Sequence, residues 1–322
     1  MKIDHAFTDE ELSEIELEDQ ATAERRLQTY SNHALKMGLP IDGLFINHPA
    51  FVEALSGLDR VFQLSTEVDM PHGMRLIGPT GSGKTSLLRY FLRSLPPSSL
   101  FAQGLGAVYL RVCKRPSVNY LVSSLLRCYG YPVRRISAES LEPRINVVLE
   151  AIRQKGTRVI IFDEAQNLAS AIVRRGAQDE GTSPTDFIRQ LMDEARVGIV
   201  LAGPQTLDDI AQLDDALESR AVGRFHLQNF KYDKFWLALT KRFVRQCDWF
   251  DIAIFMDQDI NRKLHEITLG NLRAMKRLIT ESVLVAAQQG ATAVDALHVQ
   301  KSYEMIYGVA AQKANPYDLK AA

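Results

Sequence analysis

The sequence has few cysteines and no long apolar run. Its three cysteines, Cys113, Cys128 and Cys247, stand in no metal-binding or paired spacing, which excludes a cysteine metal site or disulfide framework and indicates reduced thiols. No apolar stretch approaches the ~18 residues that a membrane-spanning helix needs, and the first residues are acidic rather than signal-like. We therefore expect a cytoplasmic protein with no membrane partner.

An overall excess of charge is also absent. The net charge is −1 over 322 residues, so any contact with nucleic acid must come from a local basic patch. Charge is nevertheless uneven: Met1–Gln20 carries eight acids and one lysine, whereas Arg111–Arg158 carries ten basic residues and three acids. Such runs are typical of solvated helix faces, but the contrast favours two faces with different partners.

Apolar patterns predict an α/β fold. Helical patterns over Thr8–Met37 and Pro49–Leu64 come first, and short apolar runs then alternate with helical stretches. Strands are predicted at Met74–Ile77, Ala107–Val112, Arg158–Phe162, Val197–Ala202 and Arg224–Leu227. This alternation is typical of a parallel sheet with helices on both faces.

After Asn229 only helical patterns remain, which predicts a second, helical domain. The predicted organisation is an N-terminal helical extension over residues 1–48, an α/β core over 49–229, a helical domain over 230–309 and a tail over 310–322.

A glycine-rich run follows the first predicted strand and precedes a helix. It fits G-x-x-x-x-G-K-[ST], in which backbone N–H groups at a helix N-terminus cradle phosphates. We expect Lys84 to reach the β- and γ-phosphates of ATP and the Thr85 hydroxyl to bind Mg²⁺. The expected nucleotide contacts come from Gly78, Pro79, Thr80, Gly81, Ser82, Gly83, Lys84, Thr85 and Ser86. The alternative is a chance Gly/Ser turn, but the pattern is complete and its context is right.

Two adjacent carboxylates, Asp163 and Glu164, follow the apolar strand that ends at Phe162. Asp163 is predicted to hold Mg²⁺, directly or through water. Glu164 is predicted to orient or deprotonate the attacking water. An ordinary acidic turn is the alternative, and the upstream P-loop favours the catalytic interpretation.

Two further motifs complete a pattern. Leu217-Glu218-Ser219-Arg220 precedes the last predicted strand, and Gly270-Asn271-Leu272-Arg273 opens a helix of the second domain. With the two motifs above, this order resembles the AAA+ ATPases over roughly Pro49–Ile306. Four stretches, at residues 41–51, 78–85, 162–168 and 200–203, resemble the TnsC/TniB transposition regulators, relatives of MuB and of initiator-type ATPases.

The resemblance implies roles for single residues. Arg220 matches the arginine finger that reaches a neighbouring subunit's γ-phosphate, and Arg273 matches the lid residue called sensor 2. Sensor 1 normally follows the fourth strand, where this chain has Gly203-Pro204-Gln205. Since Pro204 has no donor, Gln205 would have to serve, and hydrolysis would be slow or partner-dependent.

The resemblance also implies rings or helical filaments on double-stranded DNA. The candidate contacts are Lys114 and Arg115, with Arg134 and Arg135 as second choices. Contacts to phosphates are largely independent of sequence and sensitive to salt. The alternative is a solvated basic loop.

The implied function is an ATPase that assembles on target DNA and recruits or activates a transposase, with hydrolysis driving disassembly. A target-selection adaptor is a further implied partner. One alternative is a helicase loader or replication initiator, which usually carries an added DNA-binding domain. Another is a secretion-linked ATPase, which normally brings a membrane anchor. A third is a nucleotide-gated signalling switch, against which the Glu164 carboxylate argues.

Overall fold

The computed structural model describes residues 29–95, 105–132, 141–169, 183–208, 214–308 and 315–317. The chain forms two compact units. The first, here called the sheet unit, contains Asn47–Lys231 together with Asn271–Arg273. The second, the helical unit, contains the described parts of Met1–Ile46, Tyr232–Gly270 and Ala274–Ala322. The four-part division given above stays a prediction.

The sheet unit is built on five parallel strands. In chain order they are β1 (Gly73–Ile77), β2 (Ala107–Arg111), β3 (Val159–Asp163), β4 (Gly198–Gly203) and β5 (Gly223–His226), and their order in the sheet is β2-β3-β4-β1-β5. The central strands β1, β3 and β4 are buried along their whole length, because helices cover both faces of the sheet. The predicted parallel sheet is therefore confirmed.

Helices make up most of the remaining described structure. In chain order they are α1 (Asn32–Gly38), α2 (Pro40–Gly43), α3 (Pro49–Leu64), α4 (Lys84–Ser94), α5 (Val118–Cys128), α6 (Leu141–Lys155), α7 (Pro184–Ala195), α8 (Asp215–Arg220), α9 (Lys234–Gln246), α10 (Gln258–Thr268), α11 (Leu272–Gln288) and α12 (Ala296–Tyr307). Apolar side chains of α5, α6 and α7 form one core with Ile160, Phe162 and Leu201 of the sheet. Helix α3 covers the other face, where a Cβ on Gly198 would meet Val61.

The first predicted helix is wrong in its later part, near Ser31. The helical pattern over Thr8–Met37 predicts continuous helix, but Tyr30 and Ser31 are not helical and α1 begins at Asn32. The Ser31 hydroxyl accepts a hydrogen bond from the Ala34 amide. A side-chain oxygen in this position satisfies an otherwise unpaired amide at a helix start, and Ser31 therefore marks a new beginning. The part of the pattern before residue 29 lies outside the described residues.

The helical unit has its own core and polar ties. Trp236 is fully buried, and its Nε1 donates to Asn261 Oδ1 at 2.9 Å. Lys276 Nζ donates to the carbonyls of Asp42 at 2.7 Å and Leu44 at 2.5 Å, which fixes the turn after α2 to α11. Within the described ranges, no helix is both long enough and apolar enough to span a bilayer.

Candidate nucleotide site

The glycine-rich run forms a tight loop at the carboxyl edge of the sheet. Gly81 and Gly83 have φ of 84° and 102°, a region that residues with a Cβ rarely adopt. A Cβ on Gly78 would lie 2.1 Å from the Leu227 carbonyl oxygen, so only glycine fits there. The loop ends at Lys84, the first residue of α4. This is the strand-loop-helix context in which backbone amides bind phosphates.

Two polar groups of the loop, the Lys84 ammonium and the Ser82 hydroxyl, are placed to bind an anion. Lys84 Nζ donates to the carbonyls of Gly78 at 2.6 Å and Pro79 at 2.9 Å, and burial lowers the pKa of its amine. The Ser82 hydroxyl is buried and has no hydrogen-bond partner among the described residues. Buried polar groups are almost always paired, so this unpaired hydroxyl and the folded-back ammonium fit a loop shaped for an anion.

The Asp163 carboxylate lies next to Thr85. Its Oδ2 accepts from Thr85 Oγ1 at 3.0 Å and from the Tyr109 hydroxyl at 2.6 Å, and its Oδ1 accepts from the Glu164 amide at 3.0 Å. Asp163 is only 4% exposed. Carboxylate and hydroxyl oxygens are ligands that Mg²⁺ prefers, and the two side chains predicted to bind it are in contact.

The Glu164 carboxylate is aimed by its backbone and by two neighbours. Its φ of 57° lies in the left-handed region, which is uncommon outside glycine and is concentrated at functional sites. Gln166 Nε2 donates to Glu164 Oε2 at 2.7 Å, and an Arg111 guanidinium nitrogen lies 3.5 Å from Oε1. Glu164 is partly exposed and Arg111 is exposed, so the carboxylate is oriented yet accessible to water.

The position expected for sensor 1 carries an exposed side chain. Gln205 follows β4 and Pro204, and its Nε2 donates to Asp208 Oδ2 at 2.9 Å. The P-loop is tied to the same strand end, because the Gly78 amide donates to the Gly203 carbonyl at 3.1 Å. The role of Gln205 stays a prediction.

The start of α11 meets the P-loop within the sheet unit. The Arg273 amide donates to the Gly81 carbonyl at 3.2 Å, and Asn271 Nδ2 donates to the Thr80 carbonyl at 2.8 Å. A Cβ on Gly81 would lie 2.4 Å from Asn271 Oδ1, so the approach depends on that glycine. Asn271 and Arg273 therefore lie beside the loop, and the role of Arg273 at the nucleotide stays a prediction.

Arg220 lies at the amino-terminal end of the strands, opposite the end that carries the P-loop. A Cβ on Gly73, the first residue of β1, would lie 3.2 Å from the Arg220 carbonyl oxygen, whereas the P-loop follows the last residue of β1. Five residues of strand span about 15 Å. The guanidinium donates to both carboxylate oxygens of Asp193, at 3.2 and 3.0 Å. The structure therefore does not bring Arg220 to the P-loop of its own chain.

The candidate DNA contacts are only partly described. Lys114 and Arg115 are exposed in the bend between β2 and α5. This bend follows Arg111, which pairs in register with Asp163, and so lies at the same edge of the sheet as the P-loop. Arg134 and Arg135 lie outside the described residues.

Sequence reasoning missed three side chains at the site: Tyr109, Arg111 and Gln166. Tyr109 and Arg111 lie on β2, whose motif-free sequence predicts only a strand. Adjacent parallel strands bring their carboxyl ends together, so the strand order identifies Arg111 as a neighbour of the Asp163-Glu164 pair. Gln166 lies within the stretch 162–168 that resembles the TnsC/TniB regulators, but that resemblance implied no role for it, and no sequence signal marked Tyr109.

Comparisons with known proteins agree with this arrangement. The family described as "Bacterial TniB protein" matches residues 42–232. No curated protein sequence matches the chain significantly.

Solved structures show the same fold. The Aeropyrum pernix ORC1 protein in complex with DNA has a TM-score of 0.58 and 18% identity, over 81% of this chain and 66% of that one. The ORC2 protein of the same organism, in ADPNP-ADP complexes, has a TM-score of 0.57 and 15% identity, over 78% and 66%. Drosophila ORC bound to DNA has a TM-score of 0.54 and 14% identity, over 87% and 67%. This chain thus spans about two thirds of the length of each. The likeness confirms the predicted fold, an α/β core followed by helices.

Proposed function

Because this chain belongs to the TniB family, we propose that it is an ATPase that assembles on double-stranded DNA to regulate transposition. The observation that carries the ATPase part is the grouping of the P-loop, Thr85, Asp163 and Glu164 at one edge of the sheet. The family carries the link to transposition.

Nucleotide binding is assigned to the loop and its neighbours. The amides of the loop, the Ser82 hydroxyl and the Lys84 ammonium would hold the phosphates of ATP, since a glycine cradle, an unpaired hydroxyl and a cation lie together. Thr85 and Asp163 would hold Mg²⁺. When bound, the metal ion neutralises charge on the β- and γ-phosphates.

Hydrolysis is assigned to Glu164. As the exposed carboxylate next to the buried Asp163, it is placed to orient a water and accept its proton. Gln166 donates a hydrogen bond to one of its oxygens, and the Arg111 guanidinium lies 3.5 Å from the other. Arg273, beside Gly81, adds positive charge to the site.

Assembly is assigned to Arg220. The guanidinium lies at the edge of the sheet away from its own P-loop, and a finger in that position serves the γ-phosphate of a neighbouring protomer. In the isolated chain its charge is paired with Asp193. A cavity of about 510 Å³ adjoins it, lined in part by Met70 and Val222, which are 61% and 67% exposed. A second copy packed there would cover these apolar side chains.

DNA binding is assigned to Lys114 and Arg115. Both are exposed at the edge that carries the nucleotide, so ATP-dependent assembly would align copies of this bend along a duplex. Two of the similar structures, the Aeropyrum pernix ORC1 protein and Drosophila ORC, were determined with DNA. The assembled protein would then recruit or activate a transposase, with a target-selection adaptor as a further partner.

A replication initiator or helicase loader is the second candidate, because the similar folds belong to ORC proteins. The two functions share the ATPase and differ in the client. A pull-down from the source cells distinguishes the two candidates: recovery of a transposase supports the regulation of transposition, and recovery of a helicase supports the second candidate.

The experiment that tests the proposal is DNA binding with a non-hydrolysable ATP analogue and with ADP. We expect oligomers on DNA only with the analogue, and equal binding in both states would refute the gating by nucleotide. Lys84→Ala is expected to abolish assembly. Steady-state phosphate release with and without DNA separates an ATPase from a signalling switch that holds nucleotide without turnover.

Glu164→Gln gives the complementary result. It keeps the shape of the side chain but removes the base, so we expect a long-lived DNA-bound oligomer. Glu194→Gln, at an exposed position near the end of α7, is the matched control and is expected to dissociate like the wild type. If the Glu164 variant dissociates equally fast, Glu164 is not the catalytic base.

A further inference from the structure

Arg75 is a charged residue in the centre of a buried strand. It is the third of the five residues of β1, and its side chain is 3% exposed. A strand buried on both faces is normally apolar throughout. Removing a guanidinium from water costs on the order of several kcal/mol unless nearby charges and hydrogen bonds compensate.

The compensation comes from three directions. Arg75 Nη1 lies 3.3 Å from Asp208 Oδ1, Nη2 lies 3.5 Å from Glu218 Oε1, and Nε donates to the Ala221 carbonyl at 3.1 Å. A planar guanidinium can serve three acceptors at fixed angles, which a lysine ammonium cannot do.

These acceptors belong to two different parts of the proposed machinery. Asp208 follows the turn that begins at Gln205, and its other oxygen, Oδ2, accepts from the side-chain Nε2 of Gln205. Glu218 lies in α8, and Ala221 is the residue that caps its end. Helix α8 carries Arg220 as its last residue, and β1 ends two residues after Arg75, where the P-loop begins at Gly78.

The short helix depends on such contacts. It has six residues, and isolated helices shorter than ~12–15 residues are marginal in water. A cation that donates to the carbonyl of the capping residue and pairs with a carboxylate of the helix fixes both the end and the rotation of the helix. The side chain of Arg220 leaves from that fixed end.

We propose that Arg75 is a positioning residue that holds the Arg220 helix in place relative to the strand and turn of the chain's own nucleotide site. The inference rests on the proposed role of Arg220 at the neighbouring protomer. One guanidinium then joins three parts: the P-loop strand, the turn that contains Gln205, and the finger offered to the next subunit. Through this contact the position of the finger depends on the position of the chain's own P-loop strand.

Mixed oligomers test the proposal. Subunits with Arg220→Ala keep their own site but offer no finger, whereas subunits with Glu164→Gln offer a finger but do not hydrolyse ATP. Each alone is expected to release little phosphate on DNA, and the mixture is expected to recover activity. Adding Arg75→Met to the Glu164→Gln subunit is expected to reduce that recovery at least about tenfold, because small misplacements of a catalytic group have effects of that size.

The matched control is Arg224→Met in the same subunit. Arg224 binds the same Glu218 at 2.7 Å but is half exposed, so the recovery is expected to be unchanged. Arg75→Lys keeps the charge and loses the three-way geometry, and an intermediate recovery is expected. A merely structural role would instead lower the melting temperature of the variant and leave the recovery per assembled oligomer unchanged.

The outcomes separate the two proposals. Full recovery with Arg75→Met overturns the positioning role and leaves the trans role of Arg220 intact. Failure of the mixture with intact Arg75 overturns the trans role of Arg220, and the positioning role with it. If Arg75→Met does not fold, Glu218→Gln in the same subunit replaces it, because that carboxylate is 37% exposed; undiminished recovery then contradicts the proposal.

Discussion

The hydroxyl of Tyr109 is the least expected part of the site, and Tyr109→Phe tests it. The substitution removes one hydroxyl that donates to Asp163 Oδ2 at 2.6 Å and leaves the ring in place. Burial, followed by the hydrogen bond to Asp163, raises the pKa of Tyr109, so the hydroxyl is protonated and donates at neutral pH. Asp163 is 4% exposed, and water cannot easily replace the lost donor.

The magnitude follows from the charge of the acceptor. A hydrogen bond to a charged group contributes about 1.5–3 kcal/mol, against about 0.5–1.5 kcal/mol for a neutral pair. Tyr129→Phe is the matched control, because the Tyr129 hydroxyl donates to the neutral Thr157 Oγ1 at 3.1 Å and is also buried. We therefore expect Tyr109→Phe to lower the free energy of unfolding more than Tyr129→Phe does.

The assay is urea unfolding of both variants, without and with magnesium and a non-hydrolysable ATP analogue. With the ligands, we expect a smaller difference in the free energy of unfolding between Tyr109→Phe and the wild type, because a bound cation also compensates the Asp163 charge. Tyr129→Phe is expected to show the same loss in both conditions. If both variants lose the same free energy of unfolding without ligand, the reasoning is refuted. The hydrogen bond from Tyr109 to the charged Asp163 would then contribute no more than a neutral one.

Three further predictions concern DNA, packing and pH. Replacing Lys114 and Arg115 together by alanine should weaken DNA binding uniformly across sequences and reduce the slope of log K against log salt by about 2. Gly57→Ala should lower the free energy of unfolding by about 1–3 kcal/mol, because its Cβ would lie 2.4 Å from the Phe225 ring. Burial lowers the pKa of His48 to about 4; the unfolded chain binds that proton near pH 6.5, so stability should fall as the pH drops from about 6.5 to about 4. His48→Phe should remove about 1 kcal/mol of the loss between pH 7 and pH 5, discounted for partial exposure.

Each of these predictions has an outcome that would contradict it. For the Lys114 and Arg115 variant, DNA-binding titrations at several salt concentrations measure the slope. A slope equal to that of the wild type contradicts the proposed phosphate contacts. Gly43→Ala, where a Cβ meets nothing within 4 Å, should leave the urea midpoint nearly unchanged; equal losses at both glycines contradict the packing argument. His48 packs its ring against Phe51 and Phe230, so phenylalanine keeps the contact, and a variant with the same pH profile as the wild type shows that His48 does not titrate as stated.

The resemblance of the sequence to the TnsC/TniB regulators and its predicted α/β fold are confirmed. Both could be predicted because they depend on local patterns. A buried strand, a helix start and a glycine loop each require particular residues within a few positions, as the run from Gly78 to Thr85 shows. The same local reasoning was wrong near Ser31, where one hydroxyl that caps a new helix outweighed a continuous helical pattern.

The contacts around the site required the tertiary structure. Sequence separates Tyr109 from Asp163 by 54 residues and Arg75 from Asp208 by 133, and no local pattern records which strand lies next to which. The strand order places β2 beside β3 and β1 between β4 and β5. That order places the Tyr109 hydroxyl beside Asp163 and the Arg111 guanidinium beside Glu164. The parallel direction of β1 and β5 puts Arg220, which precedes β5, at the end of the sheet away from its own P-loop. The sequence by itself determined the chemical groups available, and packing decided which of them meet, because side-chain contacts depend on the positions of whole elements.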